Sequence, residues 1–207
     1  GMLWAADEPD LRMLQQKAAQ SRDMEGYVGV CKYLYQTEEN PELLLLYADS
    51  IHQLATKSKK PEQLVEYYIW ASEGNFIKGD FQQGYALKRK AIALAEKVGL
   101  KFAISQSCCD MGYYCNVDAR YDSARYYFRK GLEAGEDLSE AGEACRTMLT
   151  NYASSFLFEG KTDSALVYTI RASERSAADK DTAMLIENLN QLGTIYRRKK
   201  DLENCIA

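Results

Sequence analysis

Residues 151–172 read NYASSFLFEGKTDSALVYTIRA, and the order of residue types in this stretch decides the fold. A small residue, Ala153, is followed three positions later by the aromatic Phe156. Gly160 marks a turn, and a second small residue, Ala165, stands twelve positions after the first. Apolar positions at helical spacing on both sides of Gly160 predict two helices, over about 139–159 and 163–178. The same order recurs along the chain every 40 or 41 residues. Ser72, Gly112, Ala153 and Gly193 fill the first small column; Gly84, Ala124, Ala165 and Cys205 fill the second. Self-similarity at this period signals a stacked array, in which each two-helix unit buries its apolar face against its neighbours. The small columns have a packing reason, since two helices approach closely only where one of them lacks bulk. An array of this kind presents a long surface, which points to binding.

Outward from that stretch, ordinary start and stop signals place the other helices. Asn40-Pro41 and Pro61 open two of them, because Asn caps and Pro at the first helical position sacrifices no hydrogen bond. Gly79-Asp80 separates helices over 61–78 and 81–98, and Gly99 stops the second. The next pair covers about 101–119 and 121–134, ended by Gly135. Asp181 caps a helix running to about Lys199, and one more begins near Leu202. Toward the N-terminus, helices over about 9–20, 23–37 and 41–57 fit the period poorly, as terminal units of arrays do. The expected organisation is residues 1–8 as a tag remnant and signal-peptide remnant, 9–60 as atypical N-terminal helices, and 61–207 as four hairpins, the last cut short. A leucine at Gly112 or Ala165 is expected to push its hairpin apart, at a cost of about 1–3 kcal/mol.

Composition narrows the function. Of 207 residues, 46% are hydrophobic and 27% charged, within the range of ordinary globular domains, and the net charge is −4. That charge disfavours nucleic acid, whose phosphates call for a basic surface. Arg197, Arg198, Lys199 and Lys200 form the compact basic run, read as a solvated helix end favoured by the dipole there. No run of about 18 apolar residues suggests a membrane span. Leu3-Trp4-Ala5-Ala6 before Asp7-Glu8 resembles the tail of a secretory signal, which tips the expected compartment toward export over the cytoplasm. Six cysteines (Cys31, Cys108, Cys109, Cys115, Cys145 and Cys205) all fall in expected helices and read as small buried hydrophobes. With no C-x-x-C pair and a single His, His52, no metal site is expected.

The columns resemble the tetratricopeptide repeat family. The residues that carry the likeness are Leu192-Gly193 with Tyr196, Gly79-Asp80-Phe81 with Ala91, Ala124 with Phe128, and Gly160 with Ala165 and Ala172. The period exceeds the family's usual length of about 34 residues and looks like its longer-helix subgroup. The resemblance implies an all-α, right-handed α-α superhelix (solenoid) of helical hairpins that binds a protein or peptide segment in a concave groove lined by the first helices. In longer-repeat members an Asn two residues before the first small residue holds the ligand backbone. That column here reads Trp70, Asp110, Asn151 and Gln191. One turn along the same face lie Glu73, Tyr113, Ser154 and Thr194, and the next turn adds Phe76 or Ile77, Val117, Phe158 and Arg198. The expected peptide-binding residues are therefore Asp110, Tyr113, Asn151, Ser154, Phe158, Gln191 and Thr194. The competing reading is that Asp110, Asn151 and Gln191 satisfy one another or backbone groups between stacked helices, since buried polar groups need partners.

No Gly-rich phosphate loop, nucleophile elbow or converging pair of acids occurs, so neither an enzyme nor a cofactor is expected. The sequence therefore suggests a binding scaffold, the recognition or sensor region of a larger protein. By resemblance this would be a bacterial signalling or regulatory protein with a membrane segment and a helix-turn-helix or kinase output. Self-association through the terminal helices and small-ligand binding are the alternatives.

Overall fold

The helix signals read above act at both ends of each element. In the computed structural model, which describes residues 10–38 and 40–199, ten α-helices follow one another and no strand occurs among the described residues. They are α1 (Leu11–Ser21), α2 (Met24–Thr37), α3 (Pro41–Ser58), α4 (Pro61–Lys78), α5 (Phe81–Val98), α6 (Lys101–Val117), α7 (Tyr121–Gly135), α8 (Gly142–Phe158), α9 (Thr162–Ala178) and α10 (Thr182–Arg198). Asn40, Asp80 and Asp181 cap α3, α5 and α10, accepting from the amides of Leu43, Gln83 and Met184 at 2.9, 3.1 and 3.0 Å. Asp10 and Asp23 do the same for α1 and α2. Gly79, Gly99 and Gly160 adopt positive φ where chains leave α4, α5 and α8.

Three departures from the expected boundaries have a visible cause. Helix α6 ends at Val117, because Ala119 takes a left-handed φ of 56° and breaks the ladder. A 3-10 turn over Ser139–Ala141 precedes α8. Gly135 is the last residue of α7 and has a packing role: a Cβ there would meet Ser105 Oγ at 2.3 Å. The expected helix near Leu202, with Cys205, and the signal-like Leu3-Trp4-Ala5-Ala6 lie outside the described residues.

The chain divides into two compact units, Gly1–Leu100 and Lys101–Ala207. In the first unit each helix packs on the next, and α2 also meets α4. The first unit's core is Val30, Cys31 and Leu34 of α2, Leu44, Ala48 and Ile51 of α3, and Trp70, Ala71 and Leu87. Thus α2 and α3 form a hairpin stacked on α4, the arrangement expected of a repeat, although their sequence fits the period poorly. Cys31 stands 41 residues before Ser72 and is fully buried, so it extends the first small column by one unit. The match was obscured because a thiol stands where Gly, Ala or Ser would be sought.

The second unit repeats the plan in two layers. Helices α6, α8 and α10 stack side by side, and α7 and α9 pack behind them, each against both helices that flank it in the chain. Close approaches fall at Gly112, in the first small column, and at Gly131, outside both columns. A Cβ on Gly112 would lie 2.2 Å from Phe128 Cε1, and one on Gly131 would lie 2.5 Å from Met148 Sδ. In the first unit Gly84 faces Phe76 in the same way, at 2.8 Å. Both units are thus built as all-α helical-hairpin solenoid. Not every glycine is constrained. A Cβ on Gly29, inside α2, would have Leu14 Cδ2 as its nearest neighbour, at an ordinary contact distance of 3.9 Å. Gly29→Ala is therefore expected to stabilise the protein by about 0.5–1 kcal/mol, read as a higher denaturation midpoint at unchanged slope.

Candidate functional site

All seven residues expected at the binding face lie in the second unit, on the layer formed by α6, α8 and α10. Helical spacing puts Asp110, Tyr113 and Val117 on one face of α6. Asn151, Ser154 and Phe158 share a face of α8, and Gln191, Thr194 and Arg198 share one of α10. Tyr113 is 50% exposed, Val117 65% and Phe158 61%. These large apolar side chains are held in place from the side. The Tyr113 ring meets Tyr114 edge-on at 5.6 Å, and Phe158 rests against Tyr121 of α7 at 5.9 Å.

The polar members of the face divide by their partners. Gln191 bridges three helices: its Nε2 donates to Ser154 Oγ on α8 at 2.7 Å, and its Oε1 accepts from Thr169 Oγ1 on α9 at 3.0 Å. Ser154 in turn donates to the Thr150 carbonyl one turn back, at 3.1 Å. Asn151 turns its Nδ2 onto the Thr147 carbonyl of its own helix at 3.0 Å. Thr194 donates to the Asn190 carbonyl at 3.1 Å. Asp110 is half-buried on α6. So Ser154 and Gln191 meet directly, while Tyr113 and Phe158 stand exposed on neighbouring helices of the layer. Arg198 sends its guanidinium to the Leu157 carbonyl at 2.9 Å, where it satisfies one of the last acceptors of α8.

A buried polar seam beneath this face was missed in the sequence. Thr150 of α8 donates to Asn188 Oδ1 of α10 at 2.9 Å, and Asn188 Nδ2 reaches Ser176 Oγ of α9 at 3.2 Å. Thr150, Asn188 and Ser176 are all buried. Asn116 of α6 crosses to the Asn151 carbonyl of α8 at 2.9 Å, and its own Oδ1 accepts no hydrogen bond. The only sign in the sequence is a polar residue on an otherwise apolar helix face, such as Asn188 between Leu185 and Leu192. Its partners lie 38 and 12 residues away, in other helices.

Ion pairs tie the second unit's turns together. Arg146 of α8 reaches Asp179 at 2.8 Å and Asp181 at 2.9 Å, in the α9–α10 turn, and Arg175 joins at Asp179. Arg125 of α7, largely buried, pairs with Glu159 at 2.6 Å, pairs with Asp122, and lies over the Phe156 ring. Hydrogen bonds from Arg125 and then Lys161 hold the Glu159 carboxyl below its usual range. Those from Arg175 and Arg146 do the same for Asp179, and the Met184 amide leads the lowering at Asp181. A carboxyl lowered in the folded state contributes stability above its unfolded pKa, and that contribution fades as pH falls through the folded value. The first unit holds the opposite case. Burial raises Glu66 of α4, against the opposing hydrogen bond from Trp70 Nε1. Protonating Glu66 relieves its burial, so this contribution grows on acidification. Acid titration to below about pH 4 is therefore expected to loosen the Arg125–Glu159 and Arg146–Asp179–Asp181 ties of the second unit. Hydrogen exchange followed helix by helix checks it.

Three surface hollows lie away from the exposed face. One of about 470 Å³ borders Met24, Leu54 and Gln63; one of about 350 Å³ borders His52, Lys59 and Tyr68; one of about 230 Å³ borders Arg129, Tyr152 and Tyr168. Among the described residues no group of three or more His, Cys, Asp or Glu is placed to hold a metal ion. No helix among them is long and apolar enough to cross a membrane.

The chain matches no family model and no curated protein. Its fold is shared with a solved helical-repeat structure, the crystal structure of BtubC (BKLC) from P. vanneervenii. The TM-score is 0.74 at 14% identity, over 94% of this chain and 82% of that one. At such low identity the likeness speaks to the fold.

Proposed function

We propose that this chain is a protein- or peptide-binding scaffold of the tetratricopeptide type, and that it binds an extended segment across the face of α6, α8 and α10. The observation that carries the reading is the exposure of Tyr113, Val117 and Phe158 on helices whose other large side chains are mostly buried. Exposed aromatics held by their neighbours supply contact area at small entropic cost. The open form of this face suits an extended chain better than an enclosed small molecule. In this reading Gln191 and Ser154 set the spacing of the face, and Tyr113 and Phe158 contact the ligand. Asp110, Asn151 and Thr194 line the path between. The chain would serve as the recognition region of a larger bacterial regulatory protein; the resemblance of its columns supports that context.

The test is selection of binding peptides from a random display library, followed by titration of the winners against variants. Tyr113→Ala with Phe158→Ala is expected to weaken binding by at least about tenfold, or about 1.4 kcal/mol. Unchanged affinity in a variant with wild-type circular dichroism would place the binding surface elsewhere.

A second reading, self-association, draws on α10. Leu189 is 53% exposed, whereas Leu149, 40 residues earlier on α8, is only 5% exposed. Ile186, one turn away, is exposed as well. Light scattering over a concentration series separates the readings: a concentration-dependent mass abolished by Leu189→Lys supports self-association, and a constant monomer mass removes it.

A further inference from the structure

We infer that Glu66 and Trp70 of α4 form a proton-operated contact with α2, which holds α2 more firmly when Glu66 has taken up a proton and more loosely when Glu66 is ionised. The contact lies within the first unit. Four residues apart on α4, Glu66 and Trp70 share one helix face, and the Trp70 indole N–H donates to Glu66 Oε2 at 3.0 Å. The opposing side is α2. Tyr35 meets the Trp70 ring edge-on with centroids 6.3 Å apart, and Cys31 and Lys32 lie within electrostatic reach of Glu66. Trp70 shares a core with Val30, Cys31 and Leu34 of α2. The half-buried carboxyl is therefore set in the seam between two helices and not on an open surface. The columns of Glu66 and Trp70 continue as Gln106 and Asp110, Thr147 and Asn151, and Glu187 and Gln191, so no later unit repeats the pair.

The surroundings of Glu66 suit the neutral acid better than the carboxylate. Its hydrogen-bond donor is an uncharged indole, and Lys32 acts on it through space without closing an ion pair among the described residues. Cys31 is fully buried, and burial followed by the Glu66 charge pushes its thiol up, so it stays neutral and supplies no balancing charge. A carboxylate in this seam loses hydration that one neutral donor does not replace. Burial is accordingly the leading cause that raises Glu66, with the Trp70 hydrogen bond and the Lys32 charge opposing it. A carboxyl raised in the folded state takes up its proton there before the unfolded chain does. The seam therefore gains stability as pH falls from the folded value toward the ordinary glutamate value of about 4.3, and the gain is complete below it. The ionised group draws water into the seam and loosens α2; the neutral acid lets the seam close.

The test uses the full chain with Trp4→Phe, which leaves Trp70 as the one indole. Its fluorescence is followed as pH falls from about 7.5 to 4. A step centred above about pH 4.3 is expected, and it should be absent when Glu66→Gln is added. Gln accepts the same indole bond and keeps the shape of the acid, so this variant removes the titration and little else. Histidine as a residue type changes charge between about pH 5 and 8, and His52 of α3 stacks on Tyr67 at 4.3 Å. The titration is therefore repeated with His52→Gln, which should keep the step. Hydrogen exchange of the α2 amides, corrected for their intrinsic rates, is expected to slow at least about threefold between about pH 7 and 5, and to be equally slow at both in Glu66→Gln. A step that persists in Glu66→Gln, a step lost in His52→Gln, or α2 exchange that does not respond to pH would overturn the assignment.

Discussion

Lys88→Met is expected to destabilise the protein by about 3–5 kcal/mol, among the largest effects of any single substitution in the chain. Lys88 lies on α5 with no exposed surface, and its ammonium pairs with Glu73 of α4, whose side chain is 3% exposed. Removing the ammonium strands a carboxylate that water cannot reach. Lys88 stands 40 residues before Phe128 and Glu73 stands 40 before Tyr113. The first unit thus keeps an ion pair where the second has a ring packed on a glycine and an exposed tyrosine. Such pairs gain little over apolar packing, because desolvation offsets most of the attraction. Glu73→Leu with Lys88→Met should therefore recover most of the loss, and Glu73→Leu alone should cost as much as Lys88→Met. Urea denaturation of the four proteins closes the cycle. Additive losses in the double variant would show that the two charges do not depend on each other.

Gly112→Leu is expected to cost about 3 kcal/mol or more, at the upper end of overpacking. The position has no slack: even a Cβ would lie 2.2, 2.4 and 2.7 Å from three atoms of the Phe128 ring, and Phe128 is itself fully buried. The ring has nowhere to retreat, because Met148 and the α8 helix close the other side of α7. Gly112→Ala should cost less, and Phe128→Leu in the Gly112→Ala background should return part of the loss by clearing the space the new methyl needs. A Gly112→Leu protein as stable as wild type would mean that α6 and α7 do not approach at this point.

These two sites show what could and could not be read from the chain. Helix boundaries were legible because caps act locally: Asn40, Asp80 and Asp181 each bond within three residues, and Gly79, Gly99 and Gly160 turn the backbone where they stand. Gly112 was legible because a small residue recurs at its position every 40 or 41 residues. Lys88 was not, since a lysine on a helix reads as solvated until its partner 15 residues away is known. The Thr150–Asn188–Ser176 seam was hidden for the same cause, and so was the membership of α2 and α3 in the array, where Cys31 stands in for a smaller residue. At the candidate face the columns placed the expected residues together on one layer of helices. They did not separate the residues that bind one another, Ser154 and Gln191, from those left exposed, Tyr113 and Phe158. That division depends on which neighbours fall within hydrogen-bond reach, and spacing alone does not carry it.

The central claim is that the layer of first helices, and not the layer behind it, meets the partner. Photo-crosslinking tests it most directly. A benzophenone side chain is placed in turn at Tyr113 and Phe158 on α6 and α8, and at the exposed Tyr126 and Val167 on α7 and α9. Each protein is then irradiated with a library-selected peptide bound. Crosslinks from positions 113 and 158, with none from 126 and 167, are the predicted result; peptide captured from α7 and α9 alone would contradict it.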